Sequence, residues 1–209
     1  MKTLENPIKH CKSCFKELKK YDFYELVNED SYLCPFCQQK LVPHFIKFDI
    51  DCIDALSIYE YDDNIKAFLY QLKGCHDVEL APIFLNPFKR ELRLMYWGYT
   101  LVCAPSYCID DENRGFKHVE KIFEILNLPI CYPIEKVTPF KQAENSRRKR
   151  KQIIEHLRLV NPELIKDKKI LIVDDVCTSG STLKAMIKLA KDASPKAIKI
   201  LVMSKREMH

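Results

Sequence analysis

Asp174 and Asp175 stand side by side after the apolar run Ile170 to Val173 and before Cys177, Thr178, Ser179, Gly180, Ser181 and Thr182. An ionised carboxylate only accepts hydrogen bonds, so the pair suits groups that donate them, such as the vicinal hydroxyls of a sugar. Thr178, Ser181 and Thr182 add hydroxyl donors. If a helix opens here, the amides of Ser179 to Thr182 face a phosphate at its positive end. The chemistry implied is retention of a phosphorylated sugar. The elements that must position it are legible nearby: Ile170 to Val173 has the length and β-branched content of a strand buried on both faces, and Leu183, Met186, Ile187 and Ala190 recur at helical spacing. The hydroxyl-rich segment is then a strand-to-helix turn, placed at the carboxyl edge of an open parallel sheet, where ligands sit.

This string resembles the signature of the type I phosphoribosyltransferases, which bind 5-phosphoribosyl-1-pyrophosphate (PRPP). It lacks the Gly-Lys-[Ser/Thr] of a P-loop, and a chain with four glycines has no Gly-x-Gly-x-x-Gly fingerprint, which argues against a nucleoside triphosphatase. The resemblance implies that Thr178, Ser179, Gly180, Ser181 and Thr182 hold the 5′-phosphate while Asp174 and Asp175 position the ribose. In a transfer reaction these two acids would also support the charge developing at C1. Pyrophosphate, carried with Mg²⁺, would lie near Pro105, Ser106 and Tyr107, within reach of Arg114, Lys141 or Arg147.

Cys11-x-x-Cys14 and Cys34-x-x-Cys37, with 19 residues between the pairs, have zinc-ribbon spacing. Four thiolates close a tetrahedral shell around Zn²⁺ and leave no open position, so the metal is expected to be structural. Two disulfides or four reduced core thiols are the alternatives. Cysteines 52, 75, 103, 108, 131 and 177 have no such spacing and read as core or incidental thiols.

With 209 residues, 47% apolar and 30% charged, the chain suits one substantial core plus a small appendage. The N-terminus lacks the apolar stretch of a signal peptide, and no segment approaches the roughly 20 apolar residues that cross a bilayer. A cytoplasmic protein without membrane insertion is the expectation. Positive charge is concentrated: residues 136–151 carry Lys136, Lys141, Arg147, Arg148, Lys149, Arg150 and Lys151 against Glu144 alone, and the remainder is near neutral. Such a run is either a solvated face or a seat for an anionic partner.

Along the chain, residues 1–45 are expected to form a metal-pinned ribbon whose small core draws on Tyr21, Phe23, Tyr24, Tyr32 and Phe36, with Pro43 near the boundary. Residues 46–209 form the larger domain. Its expected elements are a strand over 53–61, a helix capped by Asn64, a proline-interrupted helical stretch over 77–95, and Tyr99 to Cys103 as first strand of the main sheet. A polar loop over 110–114, a helix bearing Val119, Ile122, Phe123 and Leu126, a strand over 131–134 and a helix over 153–159 follow. The signature strand, its helix and a last strand over 197–203 complete the set. The alternation implies an α/β fold, a parallel sheet with helices on both faces.

Ribbon and signature together, within about 200 residues, resemble the ComF family of competence proteins. Leu72-Lys73-Gly74, Arg114-Gly115-Phe116, and Thr138 with Gln142 ahead of a basic helix extend the likeness over nearly the whole chain. Lys117 and the crowded Arg147 to Lys151 depart from the family pattern. The resemblance implies PRPP binding and a part in natural transformation, with single-stranded DNA and other DNA-uptake proteins as partners. Arg147, Arg148, Lys149, Arg150 and Lys151 would neutralise DNA phosphates while aromatic side chains stack on bases. Two other functions are a phosphoribosyltransferase acting on a small nitrogen nucleophile and a PRPP-sensing regulator. No general base for an acceptor is identifiable, and glutamine-dependent amide transfer is not expected, since no segment is long enough for a glutaminase domain.

Overall fold

A computed structural model describes residues 9–18, 32–136 and 157–207. The basic residues Lys141 and Arg147 to Lys151, together with Thr138, Gln142, Tyr21, Phe23 and Tyr24, lie outside them.

The elements in chain order are a short helix α1 (Pro35–Gln38), strands β1 (Pro43–Ile50) and β2 (Ile53–Glu60), and helix α2 (Asp63–Gly74). Two 3-10 turns, Val78–Phe84 and Asn86–Phe88, lead to α3 (Lys89–Met95) and β3 (Tyr99–Cys103). Then come α4 (Cys108–Arg114), α5 (His118–Phe123), β4 (Ile130–Cys131), β5 (Ile134–Lys136), β6 (Leu157–Leu159), β7 (Lys169–Cys177), α6 (Ser181–Asp192) and β8 (Ala197–Lys205).

Six strands form the main sheet in the order β1-β2-β8-β7-β3-β4, and β5 pairs with β6 in a separate two-stranded ribbon. The sheet is mixed: β1 runs antiparallel to β2, and every other pairing in it is parallel. β7 is central. It pairs with β3 from Lys169 to Val173 and with β8 from Lys169 to Cys177, so its last residues extend beyond β3 with a partner on one side only.

Strand alternation divides the core into two layers. Ile170 and Ile172 pack with Leu183, Met186, Ile187 and Ala190 of α6. Leu171 and Val173 pack on the other face with Phe68, Leu69 and Leu72 of α2 and Val119, Ile122 and Phe123 of α5. Helices therefore cover both faces. Buried Cys11, Leu33, Cys34 and Cys37 join the second layer, so the cysteine segment packs directly against α2.

Several elements differ from the sequence expectation. The cap of α2 is Asp62, not Asn64: its carboxylate accepts the amide of Ile65 at 2.7 Å, three residues on. Residues 110–114 are helical within α4. Tyr99 to Cys103 is not the first strand of the sheet, because β1 and β2 join it through β8. The expected strand over 131–134 divides into β4 and β5, which belong to different sheets. Leu157–Leu159 is a strand rather than a helix end, pairing with β5 from Ile134↔Leu159 to Lys136↔Leu157. Three-residue ribbons give no periodicity to read.

Ile172, fully buried in the central strand, makes a direct test of this packing. Ile172→Ala is expected to lower unfolding free energy by about 2–5 kcal/mol in denaturant titration.

Candidate functional site

The candidate metal centre is built from two tight turns. In the first, Phe15 donates its amide to the carbonyl of Cys11 at 2.9 Å, and Cys11 donates its own to Lys16 at 2.8 Å. The second is the start of α1, where Gln38 donates to the carbonyl of Cys34 at 2.9 Å. The four sulfurs all lie within 4.8 Å of one another, and Cys14 Sγ and Cys34 Sγ are 3.7 Å apart. Zinc–sulfur bonds of about 2.3 Å in a tetrahedron require sulfur separations of about 3.8 Å, so this donor set fits such an ion. Cys11, Cys14, Cys34 and Cys37 could hold a metal such as zinc. Burial opposes ionisation of Cys11, yet backbone amides of Cys14, Cys34 and Ser13 outweigh it and bring the thiol down to about 7. Burial and the neighbouring thiols push Cys37 up to about 12.

The second site lies at the carboxyl end of β7. The strand does not stop at Val173 but runs through both acids to Cys177. Alternation then sends them to opposite faces: Asp175 continues the Leu171 and Val173 face toward α2 and α5, and Asp174 continues the Ile172 face toward α6. The turn that follows is short. Thr178 and Ser179 are exposed, Gly180 adopts φ 70° at the N-cap of α6, and Ser179 Oγ lies 2.8 Å from Ser181 Oγ. A Cβ at Gly180 would stand 3.3 Å from Ile50 Cδ1 as well as in left-handed backbone. Ser181 and Thr182 begin the helix, half-buried.

Asp175 is buried and engaged by protein. Its carboxylate forms an ion pair with Lys73 of α2, and its Oδ2 lies 3.4 Å from His118 Nε2. His118 Nδ1 is 2.9 Å from Arg114 Nη1. A guanidinium only donates, so Nδ1 accepts, and the proton of the neutral imidazole sits on Nε2, directed at Asp175. Burial, with Lys73 and Arg114 nearby, drives the His118 pKa down to about 3. Arg114 Nη1 also lies 3.2 Å from Asp111 Oδ1, and Ser106 Oγ donates to Asp111 Oδ1 at 2.6 Å. One polar chain therefore joins Ser106, Asp111, Arg114, His118, Asp175 and Lys73.

Of the residues singled out in the sequence, Asp174, Asp175 and the 178–182 turn are contiguous at this edge. Ser106 and Arg114 turn inward to Asp111, with Arg114 also bonded to His118. Tyr107 lies under the ammonium of Lys136, 3.8 Å from its ring centroid. Lys73, Asp111, His118 and Lys136 were not read as site residues. A signal for two of them existed: Lys73 continues the buried Ile65 and Leu69 positions at i+4 and i+8, and His118 precedes buried Ile122 by four. A charged or polar residue on an apolar stripe asks for a buried partner.

Residues 112–207 match the phosphoribosyl transferase domain family. The chain is 27% identical over 200 residues to Competence protein ComFC of Streptococcus pneumoniae, a match covering 83% of this chain and 88% of that protein. It is 26% identical over 188 residues to Competence protein ComFC of Bacillus subtilis, covering 84% and 75% respectively. The chain is similar to these ComFC proteins over most of its length. Its architecture is that of a type I phosphoribosyltransferase-like sheet with an N-terminal four-cysteine module. Among solved structures, the chain is similar to a hypoxanthine phosphoribosyltransferase from Staphylococcus aureus at 15% identity and TM-score 0.40, over 61% of this chain and 66% of that one. It is likewise similar to glutamine PRPP amidotransferase from B. subtilis at 14% identity and TM-score 0.41, over 61% of this chain and 27% of that one. No helix among the described residues is long and apolar enough to cross a membrane.

Asp174 carries a pH signature. Burial raises its carboxyl to about 7, against the pull of Lys73 and Lys136. From the ordinary value of 3.8 up to about 7, the native state keeps a proton that the unfolded chain has lost. The stability this adds is complete below the lower value and gone above the upper one. Asp174→Asn is therefore expected to match the wild type near pH 4 and to exceed it at pH 8 by on the order of 1–3 kcal/mol in denaturant unfolding.

Proposed function

We propose that this protein binds PRPP with Mg²⁺ at the carboxyl edge of β7 and handles single-stranded DNA during natural transformation in the cytoplasm. The observation that carries the reading is the meeting of Asp174, the 178–182 turn and the start of α6 at one sheet edge in a chain similar to ComFC proteins. That likeness supports a role in competence.

In this reading the amides and hydroxyls from Thr178 to Thr182 hold the 5′-phosphate and Asp174 accepts from the ribose hydroxyls. Asp175, fixed by Lys73 and His118, holds the end of β7 in place beside it. Lys136 and Tyr107 flank the pyrophosphate end, and Mg²⁺ supplies charge neutralisation there when bound. Ser106 and Arg114 contribute through Asp111 and His118 unless ligand draws them out. Zinc is the proposed occupant of the four-cysteine centre. Lys141 and Arg147 to Lys151 supply further cationic charge, to pyrophosphate or to DNA. Asp174→Asn should weaken Mg²⁺-PRPP binding about tenfold or more in calorimetry at pH 7.5, the worth of a charge-assisted hydrogen bond. Affinity equal to the wild type would remove Asp174 from the site.

The DNA half of the proposal has its own readout. Neutralising Arg147, Arg148, Lys149, Arg150 and Lys151 should weaken binding of a labelled single-stranded oligonucleotide and flatten its dependence on salt, each lost phosphate contact reducing the slope by about 0.7. An unchanged slope, with PRPP affinity reduced instead, would assign the segment to pyrophosphate.

A further inference from the structure

Helix α2 touches both sites. Gln71 and Lys73, two residues apart, project about 200° apart around the helix axis and so face opposite ways. On one side, Gln71 Nε2 donates to the carbonyls of Lys12 and Ser13, each at 3.3 Å, and to Asp77 Oδ2 at 3.1 Å. Ser13 Oγ returns a contact to Gln71 Oε1 at 3.4 Å. Lys12 and Ser13 are the two residues inside the first Cys-x-x-Cys, so Gln71 holds the backbone that an ion at the four cysteines would shape. On the other side, Lys73 pairs with Asp175. Between them Leu72, fully buried, packs in the same layer as Cys11, Cys34 and Cys37.

The end of α2 is weak by composition. Gly74 follows Lys73 as the last helical residue, and glycine is about 1 kcal/mol poorer than alanine in a helix. Cys75 caps with a backbone bond to the carbonyl of Tyr70 at 3.2 Å, and Asp77 donates its amide to the carbonyl of Gln71 at 3.4 Å. A terminal turn of this kind frays unless tertiary contacts pin it. Here the pins are Leu72 in the core, Gln71 to the cysteine turn and Lys73 to the signature strand. Loss of one loosens the turn that carries the others.

We infer that the four-cysteine centre regulates the phosphosugar site: metal at the cysteines fixes the Lys12 and Ser13 carbonyls, Gln71 transmits this to the last turn of α2, and Lys73 is thereby held on Asp175. The inference rests on the proposed PRPP reading for its ligand and on the Gln71 and Lys73 contacts for its route. By linkage the coupling is reciprocal, so bound PRPP raises the affinity for the metal by the same factor.

Hydrogen–deuterium exchange on the full chain tests the route without ligand, comparing zinc-loaded protein, protein treated with a zinc-selective chelator, and loaded Gln71→Leu. Leucine keeps the helical propensity and removes the amide donor. Faster exchange is expected at 70–75 and 173–178 in both altered forms, with 185–192 of α6 unchanged and, in Gln71→Leu, 32–40 still protected. Calorimetry should then show Mg²⁺-PRPP affinity reduced about fivefold or more in both. Exchange changes confined to 9–18 and 32–40 after chelation, or a Gln71→Leu protein identical to the wild type at 173–178, would overturn the inference. So would uniform loss of protection that includes 185–192, because the metal would then staple the whole fold rather than act through Gln71. If the loaded wild type binds no PRPP, the proposed function fails on calorimetry while exchange still decides the coupling.

Discussion

The ion pair between Lys73 and Asp175 is the contact on which the arrangement of the candidate site depends. Asp175 lies on a strand face otherwise given to Leu171 and Val173, and its relative side-chain exposure is 9%. A carboxylate placed there without a partner would carry a desolvation cost of several kcal/mol. Lys73 and His118 remove that cost by coming from two different helices, so the strand end, α2 and α5 are registered against one another at a single charged group. Lys73 is itself affected: burial lowers its pKa to about 8, with Asp174 pulling upward and Arg114 adding to the lowering. Removal of either partner would leave a charge that nothing nearby neutralises as well.

The two adjacent acids thereby acquire different work. Asp175 is spent inside the protein, at the end of a polar chain that begins with Ser106 in the turn after β3. Asp174 is left on the opposite, Ile172 face of the strand, with burial holding its carboxyl close to half-ionised near neutral pH. A strand that gains stability when Asp174 is neutral, and the proposed phosphosugar site, which would use Asp174 ionised, pull in opposite directions. Such conflict between local stability and chemistry is expected where side chains are placed for a ligand rather than for folding.

Much of this edge was legible in the sequence because its signals are local. Ile170 to Val173, the helical spacing from Leu183 to Ala190, and the small hydroxyl residues between them lie within 21 consecutive positions. The four-cysteine cluster was legible for the same reason, since two Cys-x-x-Cys turns carry their own spacing. What could not be read were relations between distant segments: β1 and β2 joining the main sheet through β8, or Lys73 meeting Asp175 across about a hundred residues. The strand length is also hidden, because an acidic pair reads as a loop until β8 is known to pair alongside it as far as Cys177. With the strand extended, alternation separates Asp174 from Asp175, and no composition-based reading of an Asp-Asp pair contains that separation.

The most direct measurement is the pH dependence of Mg²⁺-PRPP affinity in the wild type and in Asp174→Asn, from pH 5.5 to 8.5. A carboxylate that must be ionised to accept ribose hydroxyls, and whose pKa stands at about 7, predicts wild-type affinity rising through that value relative to a variant lacking the step. Superimposable profiles for the two proteins, or no binding at any pH, would contradict the assignment of this sheet edge as a phosphosugar site.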